Sequence, residues 1–267
     1  MKWAITFPKN NSRSQNSQHK LYTDLAWLYD RIYPRIFDYG GLYDALAGFL
    51  EAHSCRRILE VACGTGRLMA ILEEKGYEVT GLDLSQEMLD IARTRCAGKL
   101  LRQDMRETRV EGTFDALLCL GRSFGYMLTD DDACRALEGF NRALRDGGIL
   151  ILDSFDAEIT RRYQFGILRE GVYEFEDMKI TRRSKSSDYN ETDITWFVEW
   201  EYIIENGERR VVRDQTRLRS YDKSHLQEML LDKGFEIIRL IQGRELTLVA
   251  RKVGSVAGPG ARAQPSS

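Results

Sequence analysis

The sequence predicts an α/β fold, in which a doubly wound parallel sheet carries an inserted antiparallel sheet. Between residues 57 and 153, short apolar runs of strand length alternate with segments whose apolar residues recur at helical spacing. This alternation is typical of a parallel sheet covered by helices on both faces. From residue 155 to 221, β-branched and aromatic residues alternate with polar ones, which favours antiparallel strands instead.

The N-terminal region divides into a polar lead-in and two helices. Residues 1–20 are rich in Asn, Ser and Gln, and we expect them to be flexible. Apolar residues at helical spacing then predict a helix over Leu21–Tyr33, which Pro34 interrupts, and a second helix over Leu42–Ala52. We therefore treat residues 21–52 as a helical unit ahead of the sheet.

The main domain is predicted over residues 53–154 and 222–253. Its five parallel strands are expected at Arg57–Val61, Glu78–Leu82, Leu100–Arg102, Phe114–Leu120 and Ile149–Asp153. The helices between them are expected at Arg67–Lys75, at Gln86–Cys96 with Ser85 as the N-cap, and from a capping box at Thr129 and Asp132 to Leu144. Ligands of such sheets bind beyond the carboxyl ends of the strands, where the strand order reverses.

The insert is predicted over residues 155–221. Two runs, ITWFVEWEYII and RRVVRDQTRLRSY, flank Asn206-Gly207 and predict a β-hairpin. A further strand over Val172–Ser184 extends it to an antiparallel sheet of three or more strands.

The chain is predicted to return to the main domain after the insert. A helix is expected over Lys223–Lys233, and FEIIRLIQ with ELTLVARK predicts a C-terminal hairpin. Residues 254–267 are rich in Gly, Ala, Pro and Ser, and we expect a disordered tail.

Composition excludes several classes of function. The net charge of -2 gives no global attraction to nucleic acid or to an anionic membrane, so a nucleic-acid partner is not expected. The chain has no apolar run long enough to span a membrane, and its N-terminus lacks the pattern of a signal peptide. The five cysteines form no CxxC pair and the three histidines have no metal-ligand spacing. We therefore expect a cytoplasmic protein with reduced thiols and no metal site.

The stretch ILEVACGTGRL, residues 58–68, has the form of a ligand-binding turn between a strand and a helix. A triphosphate-binding loop would continue with Lys and Ser or Thr, where this chain has Arg67-Leu68. A dinucleotide fingerprint would have a third glycine where Met69 stands. Glu60 at the end of the first strand and Asp83 at the end of the second fit a ligand with an amino-acid tail and a ribose but no phosphate. S-adenosylmethionine (SAM) is such a ligand.

Five motifs occur in an order that resembles the class I SAM-dependent methyltransferases. They stand here as LEVACGTG, GLDLSQEML, RQDM, FDALLCLGRSFGYM and LRDGGILILD, and the resemblance covers roughly Tyr29 to Asp153. It implies a Rossmann-like sheet of seven strands with a C-terminal antiparallel hairpin. The family usually has glycine where Ala62 stands.

The resemblance implies a set of residues that contact SAM. It assigns the methionine part to Glu60 and to the backbone at Ala62, Gly64 and Gly66, the ribose to Asp83, the faces of the adenine to Leu84, Met88 and Met105, the adenine amino group to Asp104, and the sulfonium end to Leu120.

A narrower resemblance concerns the methyl acceptor. LYDRIYPRIFDYG, GRSFGYM and TRLRSYDKSHLQEMLLDKGFEI are similar to deoxysugar-nucleotide N-methyltransferases and to enzymes of the glycine N-methyltransferase type. In these relatives an N-terminal helix with tyrosines forms a lid over the cofactor, which implies that role for Tyr29 and Tyr39. The proposed catalytic residues are Tyr29, Ser123 and Tyr126, and the proposed acceptor-binding residues are Tyr33, Arg217, Arg219 and Tyr221.

The chemistry of the acceptor favours an amine nitrogen of a small molecule. An amine needs only to be deprotonated before attack, whereas a hydroxyl more often needs a base, and the sequence offers no well-placed histidine. O- or C-methylation of a metabolite and SAM binding without turnover stay as alternatives. The insert sheet is also expected to support a homodimer, since exposed sheet edges pair readily.

Overall fold

The computed structural model describes residues 19–163, 165–243 and 245–254. Its strands are β1 (Arg57–Val61), β2 (Glu78–Asp83), β3 (Lys99–Arg102), β4 (Phe114–Cys119), β5 (Leu144–Asp156), β6 (Leu168–Glu174), β7 (Lys179–Asn190), β8 (Thr195–Glu205), β9 (Arg209–Tyr221), β10 (Phe235–Gln242) and β11 (Leu246–Lys252). Its α-helices are α1 (Ala26–Ile32), α2 (Tyr39–Ala52), α3 (Arg67–Glu74), α4 (Gln86–Ala92), α5 (Asp130–Ala143), α6 (Ala157–Arg161) and α7 (Lys223–Asp232).

The main sheet has the order β3-β2-β1-β4-β5-β11-β10. Strands β1 to β5 run parallel, and β11 pairs antiparallel with β5. The chain moves outwards from β1 to β3 and then returns to β4 on the other side, so the strand order reverses between β1 and β4. The predicted doubly wound sheet of seven strands with a C-terminal hairpin is confirmed.

Apolar side chains cover both faces of this sheet. On one face Leu137 and Phe140 of α5 and Leu226 of α7 pack on the strands, and on the other face Leu46 of α2 and Leu72 of α3 do so. The central strands β1 and β4 are therefore buried on both sides, which accounts for their almost continuous apolar sequences.

The insert forms a four-stranded antiparallel sheet in the order β9-β8-β7-β6. The run predicted as one strand over Val172–Ser184 is a hairpin of β6 and β7, because the chain turns where Phe175 N donates to Met178 O at 2.8 Å. The last two residues of β9 pair with the end of β5, so the two sheets are continuous. β6 is the free edge of the insert, and the homodimer through this sheet stays a prediction.

The N-terminal region differs from its prediction. The run Leu21–Tyr33 is not one helix: a 3-10 turn over Lys20–Tyr22 is followed by α1, because Thr23 leaves helical geometry at φ -116° and ψ -102°. The predicted lead-in also ends earlier, since His19 is already buried. Residues 1–18 and 255–267, where flexible segments were predicted, lie outside the described residues. None of the helices in the described ranges is long and apolar enough to cross a membrane.

Candidate cofactor and acceptor site

The glycine loop joins β1 to α3 with three residues in the left-handed backbone region. Ala62 has φ +57°, Gly64 +56° and Gly66 +75°. A Cβ on Gly64 would meet no described atom within 4 Å, so the space in front of this residue is open. A Cβ on Gly66 would lie 2.6 Å from Cys96 Sγ, so this glycine lets the loop approach the region after α4. Ala62 adopts its conformation at a cost of about 1–2 kcal/mol, which the usual glycine would avoid.

Asp83 connects the glycine loop to α4. One carboxylate oxygen accepts from Gly64 N at 2.8 Å and the other from Ser85 N at 2.9 Å. Burial raises the pKa of this carboxyl, and these N–H donors act against the increase. Ser85 caps α4, as predicted, by accepting from Met88 N at 3.1 Å. Asp83, at the end of β2, therefore fixes the position of the glycine loop relative to the N-cap of α4.

Glu60, the residue before the last of β1, carries a buried carboxyl group. Its side chain is almost fully enclosed, and its Oε2 has no hydrogen-bond partner among the described residues. Burial, with a further contribution from the negative charges of Asp83 and Glu73, raises the pKa of Glu60 to about 8. A buried acceptor without a partner is rare in a folded protein, so this group is suited to a cationic ligand such as an ammonium.

A row of tyrosine rings from the N-terminal segment lies near Asp83 and Glu60. The rings of Tyr29 and Tyr33 are stacked with centroids 3.7 Å apart, and Tyr29 and Tyr39 form a side-chain hydrogen bond. Tyr22 packs edge-on against Tyr29 at 5.8 Å and extends the row. Sequence reasoning missed Tyr22, although its spacing of seven residues from Tyr29 would place both on one side of the helix that was predicted over Leu21–Tyr33.

The hydroxyl groups of Tyr22 and Tyr126 meet at 2.8 Å, next to the end of β4. Burial is the main cause that raises the pKa of both phenols, so both stay protonated at neutral pH. Ser123 donates to Leu120 O at 2.9 Å, so its proton is engaged in the loop itself. The structure thus brings Tyr126 together with the predicted lid, while Ser123 is held locally.

Asp30 connects α1 to the start of α3 and to the segment after α4. Its carboxylate accepts from Arg67 Nε at 3.0 Å and from both Nη atoms of Arg95 at 2.7 Å. Burial acts to raise the pKa of Asp30, but these donors and Thr65 hold it at about 2. Sequence reasoning missed this residue, because nothing in the local pattern connects it with partners 37 and 65 positions away.

A second attachment of the lid lies at α4. The hydroxyl of Ser85 donates to the carbonyl of Tyr22, so the residue that caps α4 also binds the N-terminal segment. The lid therefore contacts the crevice through backbone and side chain, in addition to the ion pairs of Asp30.

The turn after β4 is fixed by Asp153 of β5. Its carboxylate accepts from the backbone N–H groups of Gly121 and Arg122, and burial raises its pKa to about 6. Arg122 has φ +63°, and its guanidinium lies 5.1 Å from the ring of Phe155. A charged side chain therefore stands next to the end of β4, beside the lid tyrosines.

The residues predicted to contact adenine lie around β3 and α4. Leu84 is exposed, Met88 is fully buried and Met105 packs partly into the core. Asp104 is engaged with Arg106, whose backbone N–H and guanidinium both donate to it and lower its pKa against the effect of burial. Their contact with adenine stays a prediction.

The insert residues proposed for the acceptor do not join the lid. Arg217 is exposed on the opposite face of the insert sheet, 4.9 Å from the ring of Phe197. Arg219 pairs with Asp130, and Tyr221 is a core residue whose hydroxyl donates to Met127 O at 2.6 Å. The structure does not bring these three side chains to the tyrosines of the lid.

Comparison with known proteins gives consistent results. A family model described as a methyltransferase domain matches residues 58–148. A protein called "Putative methyltransferase YqeM" from Bacillus subtilis is 32% identical over 232 residues, which cover 82% of this chain and 88% of that protein. A glycine/sarcosine N-methyltransferase from Parasynechococcus marenigrum is 32% identical over 157 residues, which cover 55% of this chain and 54% of that enzyme.

A solved structure has a similar fold. The crystal structure of the sugar N-methyltransferase KedS8 from Streptoalloteichus superposes with a TM-score of 0.77 at 23% identity. The match covers 93% of this chain and 99% of that chain, so it includes the insert as well as the main sheet.

Proposed function

The chain belongs to the class I SAM-dependent methyltransferases, and from this premise we propose that it transfers a methyl group from SAM to an amine nitrogen of a small molecule. Its relatives establish methyl transfer and SAM as the cofactor. The amine is the proposal, and it is supported by the chemistry of the groups beside the end of β4 and by the N-methyltransferase among the relatives.

Three residues at the carboxyl ends of β1 and β2 fit the parts of SAM. Glu60 offers an unpartnered carboxylate oxygen to the ammonium of the methionine tail. The open backbone at Gly64 leaves room for the tail carboxylate beside the loop amides. Asp83, at the end of β2, is in position to accept from the ribose hydroxyls. When bound, SAM supplies a methyl group on a sulfonium that a nitrogen lone pair can displace.

The hydroxyl pair of Tyr22 and Tyr126 carries the proposal for the acceptor. Because the pKa of each phenol is raised, neither is a ready base for a hydroxyl acceptor at neutral pH. A phenol oxygen can, however, accept a hydrogen bond from an amine N–H and so direct the nitrogen lone pair. An amine that binds in its neutral form needs no base before attack.

The lid contributes exclusion of water and a favourable environment for positive charge. The stacked rings of Tyr29 and Tyr33 close the crevice and are held there by the ion pairs of Asp30. Aromatic faces also attract cations, which suits a site that holds a sulfonium.

The test is transfer of labelled methyl from SAM into a pool of amino sugars, amino acids and simple amines, with the products separated by mass spectrometry. We expect label on nitrogen, and a Tyr126→Phe variant with lower kcat and nearly unchanged SAM affinity. Label found only on oxygen or carbon would contradict the amine acceptor. SAM binding without any labelled product would favour a regulator without turnover.

A further inference from the structure

The insert sheet turns one face towards the lid, and two charged side chains lie in the middle of that face. Strand β8 buries Tyr202 and Trp200 there against α1 and the 3-10 turn before it. Their cross-strand neighbours are Arg182 of β7 and Asp214 of β9, respectively. Because cross-strand neighbours point to the same face of a sheet, Arg182 and Asp214 also point towards the lid.

Among the described residues Asp214 has a charged partner, whereas Arg182 interacts with the uncharged phenols of Tyr33 and Tyr202. The carboxylate of Asp214 accepts from Leu21 N at 3.0 Å and contacts the imidazole of His19. No carboxylate of the described ranges lies within ion-pair distance of Arg182. Arg182 therefore brings a positive charge to the lid-facing side that the described residues leave unbalanced.

The guanidinium of Arg182 is largely buried, and the neighbouring phenols keep it in the charged form, with its pKa raised against the effect of burial. Its Nε is buried and has no hydrogen-bond partner among the described residues. The phenols of Tyr33 and Tyr202 lie beside the guanidinium: burial raises the pKa of both phenols, and the positive charge opposes that increase. A buried guanidinium with phenols but no carboxylate beside it keeps a net positive charge that an anion can balance.

The guanidinium of Arg122 is a second positive charge near Tyr33. The charge of Arg122 also opposes the increase in the pKa of Tyr33, and the Arg122 side chain is stacked near Phe155 at 5.1 Å. Its carboxylate neighbour, Glu245, is 3.8 Å away, so this charge is only partly balanced. Tyr33 thus interacts with two guanidinium groups, one of which belongs to the turn that follows β4.

We propose that Arg182 binds an anionic group, a carboxylate or a phosphate ester, on the small molecule whose amine is methylated. The proposal rests on the proposed function, since it concerns the acceptor of that reaction. The planar guanidinium can donate two parallel hydrogen bonds to either anion. Such a contact would satisfy the buried Nε–H, balance the charge and fix the acceptor at a point away from its reacting nitrogen.

The first test measures anion binding directly. The protein is saturated with S-adenosylhomocysteine, and its melting temperature is followed as sodium acetate or sodium phosphate replaces sodium chloride at constant ionic strength. We expect at least one of the two anions to raise the melting temperature of the wild type and of Arg183→Gln, but not of Arg182→Gln. Arg183 is the matched control, because it pairs with Glu170 and Glu201 on the other face. Equal shifts in Arg182→Gln and the wild type, or no shift with either anion, would overturn the proposal.

The second test uses matched acceptors in the labelled-methyl assay. Glycine is compared with glycinamide, and glucosamine 6-phosphate with glucosamine, so that the two pairs distinguish a carboxylate from a phosphate. We expect the charged member of one pair to be preferred, a loss of about 100-fold in its kcat/KM in Arg182→Gln, and partial recovery in Arg182→Lys. Equal rates within both pairs, unaffected by Arg182→Gln, would contradict the anion site while leaving methyl transfer intact. Failure of S-adenosylhomocysteine to bind the wild type would instead contradict the proposed function.

Discussion

Binding of the cofactor product should release a proton from Glu60. Burial raises the pKa of this carboxyl to about 8, so at pH 7 about nine-tenths of the empty protein carries it protonated. The ammonium of S-adenosylhomocysteine would be paired with the ionised form. We therefore expect release of about 0.9 protons per ligand at pH 7, and a gain in affinity of about ninefold between pH 6 and pH 7.

The assay is isothermal titration in two buffers of different ionisation enthalpy, which yields the number of protons released. In Glu60→Gln the release should vanish and the affinity should become independent of pH in this range. Glu107→Gln is the control, because its exposed carboxyl lies outside the crevice and should leave the wild-type value unchanged. Binding by the wild type without proton release would refute the role given to Glu60.

Three further predictions concern stability and the lid. Ala62→Gly should raise the free energy of unfolding by about 1 kcal/mol in urea, because it relieves a left-handed backbone, whereas Ala70→Gly within α3 should lower it by a similar amount. Asp30→Asn should speed dissociation of S-adenosylhomocysteine about tenfold in stopped-flow measurements, since it weakens the ion pairs that hold the lid, while Asp90→Asn on the surface should not. Glu60→Gln should melt higher than the wild type at pH 8.5 in the absence of ligand. Burial disfavours the ionised carboxyl in the folded protein. The resulting loss of folding free energy in the wild type grows from pH 4.5 to its full value above pH 8, at most about 5 kcal/mol. The melting temperatures of the two proteins should therefore converge near pH 5.

The main sheet was predictable because its signals are local. The central parallel strands are apolar runs that need burial on both faces, and α4 and α5 each begin at a side-chain cap, Ser85 and Thr129. The bounds of β1 agree with the prediction at both ends. The glycine loop was equally clear, since Gly64 and Gly66 need positive φ wherever the chain makes this turn.

The acceptor side was less predictable because it depends on which face of a strand a residue takes. Arg182 and Arg217 both lie in alternating strands, and a shift of one position exchanges the two faces. The sequence does not show which face the lid covers. Packing of Leu21, Leu25 and Leu28 on the insert decides this, and it places Arg182 towards the lid and Arg217 away from it.

The lid attachments depend on contacts far apart in sequence. Nothing in the local sequence marks Asp30 or Tyr22, and their partners lie at the start of α3, after α4 and after β4. The predicted helix over Leu21–Tyr33 located the buried residues correctly but missed the break at Thr23. Tertiary contacts of His19 and Leu21 with Asp214 set that break, and propensity alone does not contain them.

The most direct test of the account is whether the carboxylate at the end of β2 binds the cofactor. Titration of S-adenosylhomocysteine should show one site in the wild type and a loss of affinity of at least tenfold in Asp83→Asn. Asp115→Asn is the matched control, because Asp115 also accepts from two backbone N–H groups but lies at the opposite end of the sheet. Affinity retained in Asp83→Asn, or lost equally in both variants, would contradict the placement of the cofactor in this crevice.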